Sequence, residues 1–236
     1  MIKDLLQNYI KDYKTTLTEN QYEQFQKYFE LLAEWNEKMN LTAITDESGV
    51  ALKHFADSLS LLNFVDIPQN SSLADVGTGA GFPGVVLKIA RPDIKLTLID
   101  SLNKRLVFLG EVCAQLGIKA ELIHSRAEDG ARDEKLRENF DFAVSRAVAR
   151  MNVLSEYCLP YVKVGGAFCA MKGAQANEEF KESLNAINTL GGKLENKYFF
   201  ELPENGGERA IAVVRKVKNT PQKYPRQSGK IKAKAL

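Results

Sequence analysis

The 236-residue sequence predicts an α/β fold: a mostly parallel sheet covered by helices, a C-terminal antiparallel hairpin, and a helical cap at the start. Three observations predict it. From residue 72 onward, short apolar runs alternate with stretches of helical period. Two strand-like runs, 197–202 and 210–217, then flank the turn-forming residues Pro203, Glu204, Asn205, Gly206 and Gly207. Ahead of residue 66 only helical spacing is found.

In chain order, residues 1–14 place Leu5, Leu6, Tyr9 and Ile10 at helical intervals, and residues 18–39 do so with Tyr22, Phe25, Phe29, Leu32, Trp35 and Met39. That aromatic series reads as a packing face. Residues 48–64 form a third candidate helix. Strands are expected at 72–77, 95–100, 119–124, 140–145 and 166–171, and helices at 82–91, 103–116, 129–138, 151–162 and 177–190. This alternation implies parallel strands joined by right-handed crossovers. The expected division is a helical cap at 1–66, a main α/β domain at 67–218 and a C-terminal arm at 219–236.

The first strand runs into a turn with alternating glycines, Gly77, Gly79 and Gly81, and the next segment is helical. Glycine suits a place where the chain turns sharply and its backbone meets a ligand. The second strand ends in Asp100, 19 residues after Gly81. A carboxylate about 20 residues beyond such a turn can accept hydrogen bonds from ribose hydroxyls. Because Gly79, Gly81 and Gly84 also fit G-x-G-x-x-G, the turn alone leaves nicotinamide cofactors open. Asp75, two residues before the first glycine, and Pro83, which removes an N–H where a pyrophosphate would seek one, favour S-adenosylmethionine. Together with the hairpin, they favour a class I S-adenosylmethionine-dependent methyltransferase sheet of Rossmann-like type over a dehydrogenase domain.

With 44% hydrophobic residues the chain can bury a full core. No run approaches the roughly 20 apolar residues of a membrane span, and residues 1–10 lack the core of a signal peptide, so a soluble, cytoplasmic protein is expected. Cys113, Cys158 and Cys169 are odd in number and lack C-x-x-C spacing, which fits buried thiols in a reducing compartment. His54 and His124 are the only histidines, and no metal site is expected. Net charge is only +2, yet from residue 215 to the end there are eight basic residues and no acidic one. Such an arm suits a phosphate backbone, and a merely solvated tail is the alternative.

Almost end to end, the sequence resembles the glucose-inhibited division protein B (RsmG) family. The resemblance rests on Trp35-Asn36, Asn40-Leu41-Thr42, His54 with Asp57-Ser58-Leu59, and the stretch from Asp75 to Pro83. It also rests on Asp100-Ser101, Arg126-Ala127-Glu128, Ser145-Arg146-Ala147-Val148-Ala149, Lys172-Gly173 and Tyr224-Pro225-Arg226. Lys53 stands where many members have arginine, which keeps the charge. The resemblance implies methyl transfer from S-adenosylmethionine, leaving S-adenosylhomocysteine, to N7 of a guanine in the decoding-region (530) loop of bacterial 16S ribosomal RNA. It implies cofactor contacts at Gly77, Phe82, Asp100, Ser101, Leu102, Ala127, Glu128 and Arg146, to which the glycine-turn reading adds Asp75, Gly79 and Gly81. The partner is 16S rRNA or the small ribosomal subunit, with a monomer as the default.

That chemistry also accounts for what the sequence lacks. Guanine N7 presents a lone pair, so no proton must be removed and no general base is expected. No Asp/Asn-Pro-Pro-Tyr/Phe motif follows the fourth strand and no Pro-Cys supplies a nucleophile. Arg146 is expected to orient cofactor or guanine, with Glu128 as its ion-pair partner. His54, Arg150, Lys172, Lys223 and Arg226 are the candidates for RNA contact, beside Phe82 as a stacking platform. A nicotinamide oxidoreductase, a ribosome-assembly binder without chemistry and a methyltransferase acting elsewhere are the competing readings.

Overall fold

The computed structural model describes the backbone of residues 1–236 and every side chain except that of Lys232. The chain opens with helices α1 (Ile2–Tyr9) and α2 (Glu19–Met39). Thr18 and Gln21 form a reciprocal capping box at the start of α2, which satisfies backbone donors that the helix cannot. Gln21 also donates from Nε2 to the Ile89 carbonyl (2.7 Å), tying α2 to the sheet layer.

The helix expected over 48–64 is broken into pieces: α3 (Glu47–Val50), a π-helical turn (Ala51–Ala56), α4 (Asp57–Leu59) and α5 (Leu61–Phe64). Ser58 and Ser60 donate their hydroxyls back to the carbonyls of His54 and Asp57, both at 2.5 Å, and such back-bonding bends a helix. The π turn aims His54 and Asp57 toward the sheet.

The alternating part follows as β1 (Ser72–Val76), α6 (Gly84–Ala90), β2 (Lys95–Asp100), α7 (Asn103–Leu116), β3 (Ala120–His124), α8 (Ala127–Gly130) and β4 (Phe140–Arg146). It continues as α9 (Met151–Cys158), β5 (Val162–Lys172), α10 (Ala176–Glu182), α11 (Leu184–Thr189), β6 (Gly192–Glu201), β7 (Glu208–Lys216) and α12 (Ser228–Ala233). The helix expected over 129–138 is only the single turn α8. Of residues 131–138, only Ala131 and Leu136 are buried, too few for a packing stripe, and Glu138 turns the chain with φ +50.

The seven strands lie in the order β3-β2-β1-β4-β5-β7-β6. The first five are parallel, and β7 is antiparallel to both β5 and β6. Strand order reverses between β1 and β4, and the carboxyl edges at such a switch point form the ligand crevice of open α/β sheets. Val76 and Arg146 stand there.

One apolar layer joins α1, α2, the π turn, α6 and α7 to one face of the sheet, so the cap at 1–66 shares its core with the main domain. Phe25 and Phe55 pack within it with their rings tilted, centroids 4.9 Å apart and both fully buried. The other face packs under α9, α10 and α11. The segment at 219–236, read from the sequence as a basic arm, folds back onto this second layer. Tyr224 is buried and Ile231 is fully so.

Candidate active site

The turn after β1 is built by its glycines. Gly77, Gly79 and Gly81 have φ of +72, +61 and +99, all in the left-handed region. A Cβ on Gly77 would come within 2.8 Å of Val148, whereas one on Gly79 would meet nothing within 4 Å, because Gly79 faces an open cleft. The missing side chain of Gly81 points away from that cleft, toward Tyr28, Leu109 and Val85. The Tyr28 hydroxyl donates to the Ala80 carbonyl and so fastens α2 to the turn.

Asp75 is wholly buried beneath the turn and does not line the cleft. Its Oδ2 accepts from Thr78 Oγ1 and Gly84 N–H, both at 2.8 Å, while Oδ1 has no partner among the described residues. Burial pushes this carboxyl up to about 6, against the two hydrogen bonds that favour its charge. Gly84 has no room for a side chain, since a Cβ would lie 2.6 Å from that oxygen. Asp75 therefore braces the turn from below.

Asp100 ends β2 on the opposite wall. Its carboxylate accepts from Gly79 N–H (2.9 Å), Leu102 N–H (2.9 Å) and Arg105 Nη1 (3.3 Å), and retains lone pairs toward the cleft. Ser101, Ala127 and Glu128 line the same cleft, of about 510 Å³, together with Tyr157 from α9 and Ser228 from the C-terminal segment. Leu102 lies just outside it, half exposed. Glu128 is only 5% exposed, and its Oε1 is buried with no hydrogen-bond partner among the described residues. A buried carboxylate oxygen in that condition is costly, and this one borders the cleft.

Arg146 does not pair with Glu128. Its Nη1 donates to Asp57 Oδ2 (2.8 Å) and to the Lys53 carbonyl (3.0 Å) on the π turn and α4. Asp57, almost wholly buried, accepts at its other oxygen from Arg209 Nε (3.2 Å) on β7. The Arg146 guanidinium lies 5.2 Å from the Phe82 ring centroid, and His54 stacks on Phe82 at 4.4 Å. Thr42 Oγ1 lies 2.9 Å from His54 Nε2. Burial, with the charge of Arg146 behind it, pushes the His54 imidazole down to about 4, so it is neutral near pH 7.

A second cleft, of about 520 Å³, opens on the other side of Arg146, and both clefts share His54, Arg146 and Ala147. Ala147 sits between them with φ +56, a strained conformation for alanine of the kind that concentrates at functional sites. Lys53, Lys172 and Arg209 line the second cleft with Asp57 and Glu179. Lys172 is held by Glu179 (2.7 Å) and by the Ala149 carbonyl (2.7 Å). Arg150 lies on the surface in an ion pair with Glu182. Lys223 is exposed beside the Tyr224 ring, and Arg226 is bound by the buried Glu156. The structure thus gathers Gly77, Gly79, Phe82, Asp100, Ser101, Ala127, Glu128, Arg146 and His54 at one crevice, and leaves Asp75, Gly81, Leu102, Lys223 and Arg226 outside its lining.

Residues 21–205 match the family model described as GidB: rRNA small subunit methyltransferase G. The chain belongs to this family. It is 54% identical over 223 residues to ribosomal RNA small subunit methyltransferase G of Leuconostoc citreum, covering 93% of each chain. To the protein of the same name from Clostridium perfringens it is 48% identical over 234 residues, covering 99% of this chain and 98% of that one. Among solved structures, TrmN from Thermus thermophilus superposes with a TM-score of 0.53 at 16% identity, over 68% of this chain and 48% of that chain. Precorrin-6y C5,15-methyltransferase from Geobacter metallireducens gives 0.50 at 13%, over 67% and 86%. These two likenesses concern the fold, a methyltransferase-type Rossmann-like sheet. As a member of the family, the chain is an rRNA small-subunit methyltransferase. No helix among the described residues is long and apolar enough to cross a membrane, and no metal-holding cluster of His, Cys, Asp or Glu occurs among them.

Several site residues escape sequence reasoning. Arg209 carries no local signal, being one basic residue at the start of a hairpin strand, where it pairs with Phe200 of β6, and only the folded sheet brings it to Asp57. Tyr157 and Ser228 come together only because the C-terminal segment returns to α9.

Proposed function

We propose that the protein transfers the methyl group of S-adenosylmethionine to N7 of a guanine in the decoding-region (530) loop of 16S rRNA. The observation that carries this reading is the meeting of two clefts at Arg146 and Ala147, one suited to adenosine and the other lined by Lys53, Lys172 and Arg209. The residues of the first cleft fit the cofactor. Gly79 leaves its wall open, Asp100 offers carboxylate lone pairs to the ribose hydroxyls, and the unpartnered Oε1 of Glu128 suits the adenine amino group. When bound, S-adenosylmethionine supplies an electrophilic methyl on a sulfonium.

The protein's own task is alignment. Guanine N7 presents its lone pair without deprotonation, so no side chain has to remove a proton. Neutral His54 stacked on Phe82 and the fixed Arg146 make a rigid floor between the clefts, against which nucleophile, methyl and sulfur can be aligned. Such positioning contributes on the order of 7–11 kcal/mol in favourable cases. Arg146 orients through its N–H donors and serves as no general base. The basic lining of the second cleft suits phosphates flanking a splayed-out loop base.

Replacement of guanosine by 7-deazaguanosine in 16S rRNA tests the assignment to N7. The altered RNA is expected to compete for binding yet accept no methyl, and undiminished transfer to it would place the reaction at another atom.

A further inference from the structure

The C-terminal segment carries more order than a phosphate-seeking arm requires. Arg137 donates to the carbonyls of Thr220 (2.8 Å) and Tyr224 (2.9 Å), and Arg132 donates to that of Pro225. Glu156, fully buried on α9, accepts from the Arg226 backbone N–H (2.7 Å), from its Nη2 (2.7 Å) and from its Nε (3.0 Å). This is a forked, charge-assisted latch, the strongest class of hydrogen bond available to side chains. Two residues later Ser228 lines the cleft that holds Asp100 and Glu128, and it faces Tyr157, the neighbour of Glu156. Ile231, fully buried, anchors the far side.

We infer that residues 224–231 hold Ser228 in the wall of the cofactor cleft, where it and Tyr157 close the end at which Glu128 would meet the adenine, and that the Arg226–Glu156 latch sets cofactor affinity. The inference rests on the reading of that cleft as the S-adenosylmethionine site. It gives Arg226 a place in cofactor binding in exchange for the RNA contact expected from the sequence. Because the latch lies on α9 and the second cleft opens on the other side of Arg146, the segment should influence cofactor and RNA separately.

Calorimetric titration of the full chain with S-adenosylmethionine comes first, since absence of binding to the wild type would remove the cleft reading itself. Given binding, Ser228→Trp, which projects a large ring into the cleft, and Arg226→Lys, which keeps charge but loses the fork, are each expected to weaken it at least tenfold. Affinity for 16S rRNA, and its salt dependence, should stay within twofold. Unchanged cofactor affinity in the folded variants would overturn the inference, whether or not RNA affinity falls. A measurement on the wild type needs no variant to fold. Amide hydrogen exchange across 224–231 is expected to slow at least tenfold on saturation with S-adenosylmethionine, and unaltered exchange there would overturn the inference equally.

Discussion

Arg146 at the end of β4 and Asp57 at the start of α4, 89 residues apart in sequence, meet at 2.8 Å with both side chains largely withdrawn from solvent. This contact fixes the cap to the carboxyl edge of the sheet. It also holds the guanidinium beside Phe82 and His54, between the two clefts.

Breaking the pair from the acid side leaves Arg146 and Arg209 facing each other without a counter-charge. Asp57→Ala is expected to cost about 3–5 kcal/mol in denaturant unfolding, the range for removing one partner of a buried pair. Arg146→Ala should lower the methyl-transfer rate by about a hundredfold or more, as loss of a preorganised charged donor does elsewhere. Wild-type turnover by Arg146→Ala would remove its positioning role.

Asp75 gives the turn a pH signature. Its folded pKa of about 6 lies above the ordinary value of 3.8, so the folded state binds the extra proton. The associated stability is fully present below the ordinary value and is lost as pH rises through about 6. Asp75→Asn keeps an acceptor for Thr78 and Gly84 without the buried charge. Relative to wild type, this variant should gain about 2–3 kcal/mol in unfolding free energy between pH 4 and pH 8. A difference that stays constant over that range would contradict the burial of a charge at Asp75.

Tyr28→Phe removes a single hydroxyl and leaves the Ala80 carbonyl unsatisfied in a buried place. A stability loss of about 1–3 kcal/mol is expected. Because Ala80 lines the cofactor cleft, the Kd for S-adenosylmethionine should rise with it, as read by calorimetry.

His54 should not titrate near neutrality. Its ring signal in a proton NMR titration is expected to keep the neutral shift down to about pH 5, with a pKa near the value of about 4 that burial and Arg146 impose. A lowered histidine pKa means the folded state binds fewer protons than the unfolded chain. Its contribution to stability is therefore full above the ordinary value of 6.5 and lost as pH falls through about 4. The rate of methyl transfer should show no inflection from His54 between pH 6 and 8.

The parallel strands and the hairpin are legible in the sequence because each is a continuous local pattern: β2 at Lys95–Asp100 and α7 at Asn103–Leu116 fall where periodicity puts them. The glycine turn and Asp100 are legible for the same reason, since their spacing is local. The expected helix at 129–138 fails because alternating charges imitate a helical surface with no apolar face beneath it. The Glu128 partner proposed for Arg146 fails because proximity along the sheet edge competes with a cap whose π turn no periodicity reports. Arg226 illustrates the same limit, as a basic residue in a basic run reads as solvated until the fold supplies the buried Glu156.

The central claim is that the two clefts deliver a methyl group to one guanine. Incubation with methyl-labelled S-adenosylmethionine and 16S rRNA or 30S particles from cells lacking the gene, followed by cleavage at N7-methylguanosine, reads it directly. Label at a single guanine of the 530 loop is the predicted result. Label at another site, or none in either substrate despite tight cofactor binding, would contradict it.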